Sequence, residues 1–167
     1  MRFREMRRKR QQLTEEACRS ILARGTHGVL AVAGDGGYPY AVPMSYAFDG
    51  DRILFHCAPS GHKLDALSRD CRASFCVVDK DEVHPEAYTT YFASVVVFGR
   101  VRVLDDPAEK RLALEKLAAR YSPEQEAGRA RERERLFDRV CMLELRIEHM
   151  SGKQARELAK EEVIWKT

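Results

Sequence analysis

Three short apolar runs separated by glycine-containing turns fill the segment between residues 28 and 57. The runs cover residues 28–33, 38–48 and 52–57, and the turns are residues 34–37 and the pair Asp49-Gly50. Strands of this length joined by tight turns pair with their neighbours, so the segment is predicted to form an antiparallel meander. Pro39 and Pro43 have no N–H to donate to a ladder. The middle strand must therefore lie at an edge, be bulged or be bent.

Further runs with the composition of strands follow. They are residues 73–78, the long run from Tyr88 to Val103, and residues 140–147. Gly99 lies inside the long run, and a glycine within a strand often marks a bend. The polar segment from Asp79 to Pro85 is predicted to be a loop. The predicted fold is mainly β with flanking helices, and the pattern alone does not distinguish a small antiparallel barrel from a sandwich.

Helices are predicted between and around these strands. They run from Thr14 to Arg24, from Ser60 to Cys71 and from the Asp105-Asp106-Pro107 start to near Tyr121, and another begins at Ser122. Thr14 is a suitable N-cap, and Asp105-Asp106-Pro107 is a strong helix start, with the carboxylates at the positive end of the helix and proline just inside. Arginine and glutamate are mixed in the last of these helices, over residues 129–135, which predicts a solvated face.

Size and charge favour one domain spanning residues 1–167, with a basic N-terminal arm at 1–12 and a C-terminal arm or helix at 151–167. The net charge of +3 is too small to indicate a nucleic-acid or membrane partner for the whole molecule. The basic arm could touch nucleic acid or anionic lipid, but a solvated arm or one packed on a second subunit is the simpler interpretation. The arm is not followed by an apolar segment, and no run approaches the roughly 20 apolar residues of a membrane span.

The cysteines and histidines exclude some chemistry. The five cysteines, Cys18, Cys57, Cys71, Cys76 and Cys141, contain no C-x-x-C pair and no zinc-type spacing. Without a secretion signal, this odd count indicates reduced thiols and a cytoplasmic protein. Cys57 is best explained by packing, although it lies beside the candidate site described next. The five histidines are scattered, which argues against a metal site.

Residues 55–65 are the most informative for function, because they predict a strand that runs through a polar turn into an amphipathic helix. Gly61 allows backbone to approach a ligand closely, and the free N–H groups of a helix start point towards that ligand. Lys63 adds a full positive charge, so the junction suits a phosphate group. A solvated helix start with an incidental serine and lysine is the alternative.

Several segments together resemble the FMN-binding split-barrel family of the pyridoxamine 5′-phosphate oxidase superfamily, and within it the 5-nitroimidazole-resistance (Nim-type) proteins. The segments are residues 40–46, 55–58, 61–65, 89–100 and 150–153. Their order and spacing span most of the chain. The resemblance implies a split β-barrel and FMN held at the interface of a homodimer.

The resemblance also implies roles for particular residues. The implied cofactor-binding positions are Pro43, Met44, Ser45 and Tyr46 along the isoalloxazine edge, Phe55 and His56 beside the ring and ribityl chain, Ser60 and Gly61 in the turn, His62 and Lys63 at the phosphate, and Ser94 on a neighbouring strand. His62 stands where the oxidase branch commonly has arginine, and Ser94 where it has glutamine. These departures argue against pyridoxamine 5′-phosphate oxidase activity itself, but not against FMN.

His56 is the candidate catalytic residue, because the Nim-type resemblance places a histidine near the flavin at this position. An imidazole can donate a proton or polarise a nitro oxygen, whereas a histidine satisfied by hydrogen bonds on a barrel strand would be structural. The leading hypothesis is an FMN-dependent oxidoreductase that reduces nitroaromatic compounds or other small electrophiles. The alternatives are a relative that binds F420 or haem, and a non-catalytic flavin-binding or regulatory protein.

Overall fold

The computed structural model describes residues 3–159, and within them the chain forms a seven-stranded sheet with helices packed around it. The strands are β1 (His27–Ala33), β2 (Pro39–Ser45), β3 (Ala47–Asp49), β4 (Arg52–Cys57), β5 (Arg72–His84), β6 (Thr89–Val103) and β7 (Cys141–Gln154). The helices are α1 (Glu15–Arg24), α2 (His62–Arg69), α3 (Pro107–Tyr121) and α4 (Glu126–Leu136). The chain is helical again at residues 156–159.

The strand order is β2-β1-β5-β6-β7-β4-β3, and every neighbouring pair is antiparallel. The sheet curls until β2 lies against β4, but no hydrogen-bonded ladder joins these strands within the described residues. Such a sheet, curled into a barrel but open along one seam, is a split barrel. The predicted fold class, mainly β with flanking helices and a split barrel, is confirmed.

The predicted antiparallel pairing of neighbouring runs is confirmed, but the three-stranded meander is wrong in its middle strand, because the chain between residues 38 and 48 divides at Tyr46 into two strands. β2 pairs only with β1 at one edge of the sheet, whereas β3 pairs with β4 at the other edge. The side chain of Tyr46 is fully buried in the barrel, and its hydroxyl donates to the carbonyl of Leu22 at 2.8 Å. The expectation from Pro39 and Pro43 of an edge or bent strand is confirmed, since both lie in β2.

The segment predicted as a loop between Asp79 and Pro85 is instead the end of β5. β5 and β6 continue together as a hairpin to the pair His84 and Thr89, after a bulge between Val78 and Lys80. The hairpin extends beyond the core, and Val83 is 71% exposed. Its polar composition reflects this solvent exposure rather than the absence of a ladder.

The last strand is longer than predicted, which moves the start of the predicted C-terminal arm or helix beyond residue 151. β7 continues past residue 147 to Gln154, so residues 151–154 belong to the sheet and not to an arm or helix. The register shifts between Phe98 and Gly99, where a Cβ on the glycine would lie 2.0 Å from the carbonyl oxygen of Arg146. The bend predicted at Gly99 is thus a bulge that only glycine fits. Residues 160–167 lie outside the described residues.

The starts of α1 and α3 follow the sequence closely, whereas α2 (His62–Arg69) is shorter than the predicted helix from Ser60 to Cys71. The Thr14 side chain accepts from the Ala17 N–H at 3.1 Å, and Asp106 caps the first turn of α3. α4 begins at Glu126, four residues after the predicted start at Ser122, and buries none of its residues. It is tied to α3 by the ion pairs of Glu115 with Arg129 and Arg133. None of the helices within residues 3–159 is long and apolar enough to cross a membrane.

Two apolar clusters hold the fold together. The larger fills the barrel and is closed by α1; its fully buried side chains include Tyr46, Phe55, Phe75, Leu30 and Val95. The smaller lies between the outside of the sheet and α3, and combines Leu54 and Met142 with Leu114 and Leu117. α3 thus covers the outside of the sheet only near β3, β4 and the start of β7.

We define the outer sheet face as the outward side of β1, β5, β6 and the last residues of β7, formed chiefly by Val29, Cys76, Val78, Ser94, Val96 and Phe98. The N-terminal arm reaches one corner of it. The Phe3 ring stacks on His149 with centroids 4.6 Å apart and lies 5.5 Å from the Phe98 ring. Gln12 forms a bridge with Lys153. The arm therefore packs on its own sheet along part of its length.

Candidate flavin site

The junction between β4 and α2 has the geometry that residues 55–65 predict. β4 ends at Cys57, α2 begins at His62, and Gly61 is the N-cap with a φ of +127°, which disfavours a side chain. No side chain caps this helix start, and the Gly61 carbonyl accepts from the N–H groups of Leu64 and Asp65. The first N–H groups of α2 are therefore not used by a capping side chain.

His62 connects this junction to the turn between β1 and β2. Its ring stacks on Tyr40 with centroids 4.1 Å apart, and its Nε2 lies 3.4 Å from an oxygen of Asp35. Asp35 is also bound by Arg69 of α2 at 2.6 Å. Edge strand β2 and the helix start are thus held side by side at the seam of the barrel.

Lys63 is half-buried, and within residues 3–159 its ammonium forms no ion pair. Its positive charge acts on the nearby thiols of Cys57 and Cys141 and lowers their pKa values, against the larger effect of burial, which raises them. Lys63 is consequently a cation close to the helix start that is not neutralised by a neighbouring carboxylate. This arrangement can take an anion such as a phosphate.

The four candidate residues around the end of β2 divide between two faces. Pro43 and Ser45 are exposed and point out of the barrel, whereas Met44 and Tyr46 are buried inside it. The backbone N–H of Tyr46 donates to the hydroxyl of Tyr121 at 2.9 Å. Burial raises the pKa of the Tyr46 hydroxyl well above its ordinary value. Only Pro43 and Ser45 present their side chains to a ligand outside the barrel.

Phe55 and His56 also point in opposite directions, as neighbours on a strand do. Phe55 is fully buried and packs edge-to-face on Phe75, so that only its backbone is available to a cofactor. His56 is exposed on the outside of β4 and lines a cavity of about 280 Å³ between α3 and α4. The cavity wall is mostly apolar and includes Leu114, Leu117 and Leu136. An imidazole beside an apolar cavity can bind and protonate a small ligand.

Within one chain, Ser94 lies apart from the other candidate cofactor-binding residues. It lies on β6, paired with Val78 on one side and Lys153 on the other, in the outer sheet face. β7 separates β6 from β4, and β1 and β5 separate it from β2. Lys153 has its ammonium 4.8 Å from the centroid of the Phe92 ring. One chain therefore brings together β2, β4 and the start of α2, but not Ser94.

Sequence reasoning missed several residues around the junction. Tyr40 lies in the predicted strand and in the family-like segment 40–46 but was not among the candidate site residues, and its stacking on His62 depends on the seam between β2 and β4. A second cavity, of about 640 Å³, begins at Ser60 and Leu64 and continues to Lys110 and Cys141. No spacing along the chain links these positions, because they meet only when β7 pairs with β4.

Comparisons with known proteins agree with this geometry. The sequence profile described as pyridoxamine 5′-phosphate oxidase matches residues 14–154. The chain belongs to this family, and the resemblance found in the sequence is confirmed. Among curated protein sequences none matches the chain.

Solved structures share the fold. A candidate 5-nitroimidazole antibiotic resistance protein from Bacteroides thetaiotaomicron is 21% identical with a TM-score of 0.74, over 86% of each chain. An FAD-binding protein from Mesorhizobium loti is 25% identical with a TM-score of 0.65, over 87% of this chain and 97% of that one. An FAD- and haem-binding protein from Mycobacterium smegmatis is 23% identical with a TM-score of 0.73, over 87% of this chain and 73% of that one.

Proposed function

We propose that this protein is an FMN-dependent oxidoreductase that reduces nitroaromatic compounds or other small electrophiles, as a cytoplasmic homodimer with the flavin at the interface. The observation that carries the proposal is the β4–α2 junction, where an uncapped helix start and Lys63 offer a phosphate its N–H donors and a cation. Family membership and the flavin-binding relatives support the cofactor class.

The residues have distinct tasks in this proposal. Lys63 and His62 would hold the phosphate, with Ser60 and Gly61 shaping the turn. Pro43 and Ser45 would lie against the ring system from the edge strand. A flavin supplies the electron transfer itself, so the work of this chain is to position the cofactor and the substrate.

His56 is the proposed proton donor. It borders the apolar cavity of about 280 Å³, which is small and suits a single aromatic ring better than a large substrate. When a nitro group is reduced, its oxygens gain charge that a proton or a hydrogen bond from an imidazole can stabilise. The exposed ring of His56, free of the barrel core, supports this role over a purely structural one.

The outer sheet face supports the homodimer. Val29 is 39%, Val78 60% and Phe98 37% exposed, which is unusual for apolar residues on the central strands of a sheet. Val29 pairs with Pro43 of β2 and also with Cys76, which in turn pairs with Val96. Pro43 therefore belongs to the same outward row. A second subunit on this face would bring Ser94 of one chain into the same interface as the candidate flavin site, at the β4–α2 junction and the end of β2, of the other chain.

The first experiment is a visible absorption spectrum of the purified protein with and without added FMN. A bound flavin spectrum, with FMN released by heat, is the expected result. Stopped-flow reduction by NADH or NADPH, followed by reoxidation with a nitro compound, then tests turnover. A protein that binds flavin but is not reduced and reoxidised would be a binding or regulatory protein.

A haem-binding relative is the second candidate, because one similar structure, from Mycobacterium smegmatis, is a FAD- and haem-binding protein. The same spectrum separates the candidates, since haem has an intense absorption band that flavin lacks. A protein that ignores FMN but binds haem or F420 would overturn the proposed cofactor while leaving the fold intact.

A further inference from the structure

Two cysteines face each other across neighbouring strands beside the candidate site. Cys57 is the last residue of β4, Cys141 is the first of β7, and the two are directly opposite in the antiparallel ladder. Opposite residues in such a ladder have Cα atoms about 4.5–5.5 Å apart and side chains on the same face. This falls within the Cα separation of about 4.4–6.8 Å that a disulfide requires.

The two thiols also interact in the reduced protein. Cys141 raises the pKa of the Cys57 thiol and Cys57 lowers that of the Cys141 thiol, as expected for two thiols close together. No other cysteine of the chain has this relationship: Cys76 pairs with Val29 and Val96, Cys18 lies in α1, and Cys71 contacts Arg100. The pair Cys57–Cys141 is thus arranged so that a bond between the sulfurs needs little movement of the backbone.

The two cysteines differ in access. Cys57 is 8% exposed and packs with the barrel core, whereas Cys141 is half-buried and lines the cavity of about 640 Å³. The cavity is large enough for a small oxidant to reach the sulfur of Cys141. An oxidant entering this cavity would therefore meet Cys141 before Cys57, which is shielded.

Several charges act on this pair. Burial raises the pKa of Cys57 to about 11, and it raises the pKa of Cys141 as well. Lys63 from α2 lowers both pKa values, Lys110 from α3 lowers that of Cys141, and Asp105 raises it. At neutral pH both groups are mainly thiols, so the pair stays reduced until an oxidant meets the minor thiolate form.

We propose that Cys57 and Cys141 are a reversible oxidation site that closes to a disulfide between β4 and β7 when the protein meets a peroxide. The thiolate of Cys141 attacks a peroxide oxygen, the O–O bond breaks, and Cys141 becomes a sulfenic acid. The sulfur of Cys57 then attacks that of Cys141, the S–O bond breaks, and water leaves. Two thiols are oxidised by two electrons while one hydrogen peroxide is reduced to two waters.

This site does not depend on the proposed flavin chemistry. It lies immediately before the turn that carries Ser60 and Gly61, so a bridge would fix the ends of β4 and β7 next to that turn. The pairing of the strands and the proximity of the two thiols are properties of the fold, whichever cofactor the protein takes.

The test is oxidation of the full-length protein with hydrogen peroxide, followed by alkylation under denaturing conditions and non-reducing peptide mapping. The expected product is one internal cross-link between the Cys57 and Cys141 peptides, with two of the five thiols lost and both recovered by dithiothreitol. Cys141→Ser should abolish the cross-link. Cys71→Ser, the matched control, should leave it unchanged. The map of the wild-type protein decides the question even if a variant folds poorly.

The pH dependence provides a second readout. Because both thiol pKa values are raised, the rate of cross-linking should increase about tenfold per pH unit between about pH 7 and 9. A rate that does not change with pH would overturn the order of events. Cross-links between two chains, bridges to another cysteine, or oxidation that stops at a sulfinic acid on Cys141 would overturn the proposal itself.

Discussion

Lys63 and His56 lie seven residues apart, yet their surroundings give them different roles in the proposed site. Lys63 follows the N-cap of α2 and has no carboxylate partner in the described part of the chain, so its charge is available to an anion. His56 points away from the barrel core and towards the cavity between α3 and α4. One residue is therefore suited to binding and the other to chemistry, and single substitutions should separate the two.

Lys63→Ala should weaken FMN binding. A hydrogen bond to a charged group is worth about 1.5–3 kcal/mol, so the dissociation constant should rise by about 10- to 100-fold. Titration of the apoprotein with FMN, followed by flavin fluorescence, measures the change. Lys80→Ala, at a lysine of β5 that is half-buried like Lys63, is the control and should bind as the wild type does. Full flavin occupancy in the Lys63 variant would show that the phosphate lies elsewhere.

His56→Ala should keep its flavin and lose turnover. General acid catalysis typically contributes about 10²- to 10⁴-fold, so we expect the rate of flavin reoxidation by a nitro compound to fall at least about 100-fold. Single-turnover stopped-flow measurements separate this step from flavin reduction. His84→Ala is a suitable control, because His84 stacks on Tyr91 at the far end of a hairpin. Unchanged reoxidation in the His56 variant would make this histidine structural.

At the scale of elements, the bulge between β6 and β7 determines where the outer sheet face begins. On the side of the bulge nearer the end of β6 and the start of β7, Arg102 faces Glu144. Glu144 is also bound by Arg52, and this network joins β4, β6 and β7. Burial by itself would raise the pKa of Glu144, but hydrogen bonds from Arg102 and Arg52 bring it below its usual value. On the other side of the bulge, the outward side chains of β6 are mainly apolar and include Phe98 and Val96. The charged and apolar parts of the sheet's outside thus meet at Gly99.

Gly99→Ala should destabilise the fold, because the added Cβ would lie 2.0 Å from the carbonyl oxygen of Arg146. Backbone must move to relieve this contact, and the expected loss is about 2–4 kcal/mol in the free energy of unfolding. Gly128→Ala is the matched control, since its Cβ would meet only Gln125 at 3.9 Å on an exposed helix. That variant should gain up to about 1 kcal/mol. Urea unfolding compares the two, and equal midpoints would contradict the tight fit at Gly99.

For the whole molecule, the outer sheet face is the surface on which we propose that a second copy of the chain packs. Val96→Glu places a charge in the middle of this face, where an unpaired buried charge costs about 3–5 kcal/mol. We expect the dimer dissociation constant to rise by about 100-fold or more. Sedimentation velocity measures the change. Val83→Glu, at a position 71% exposed on the β5–β6 hairpin, should remain dimeric. A monomeric wild-type protein would contradict the proposed assembly.

Much of this architecture follows from the sequence because local physics determines it. Thr14 caps the helix it was expected to cap, and Asp106, within the predicted start Asp105-Asp106-Pro107, caps α3, since a short polar side chain can satisfy the first free N–H groups of a helix. The β4–α2 junction could be predicted because a strand, Gly61 and an amphipathic helix follow one another within a few residues. The prolines of β2 indicated an edge strand, as a missing N–H excludes them from the middle of a ladder.

Other features required the assembled fold. The break at Tyr46 depends on a buried hydrogen bond to Leu22. The ladder beyond residue 79 depends on pairing with β6. Neither feature can be predicted from the local composition of the chain. The seam that joins Tyr40 to His62, and the strand pair that joins Cys57 to Cys141, bring together residues far apart in the chain. The sequence by itself therefore predicted most of the strands and helices, and the strand, glycine and helix that form the β4–α2 junction. Only the tertiary structure decided what faces that junction, because strand order is chosen by long-range pairing and burial.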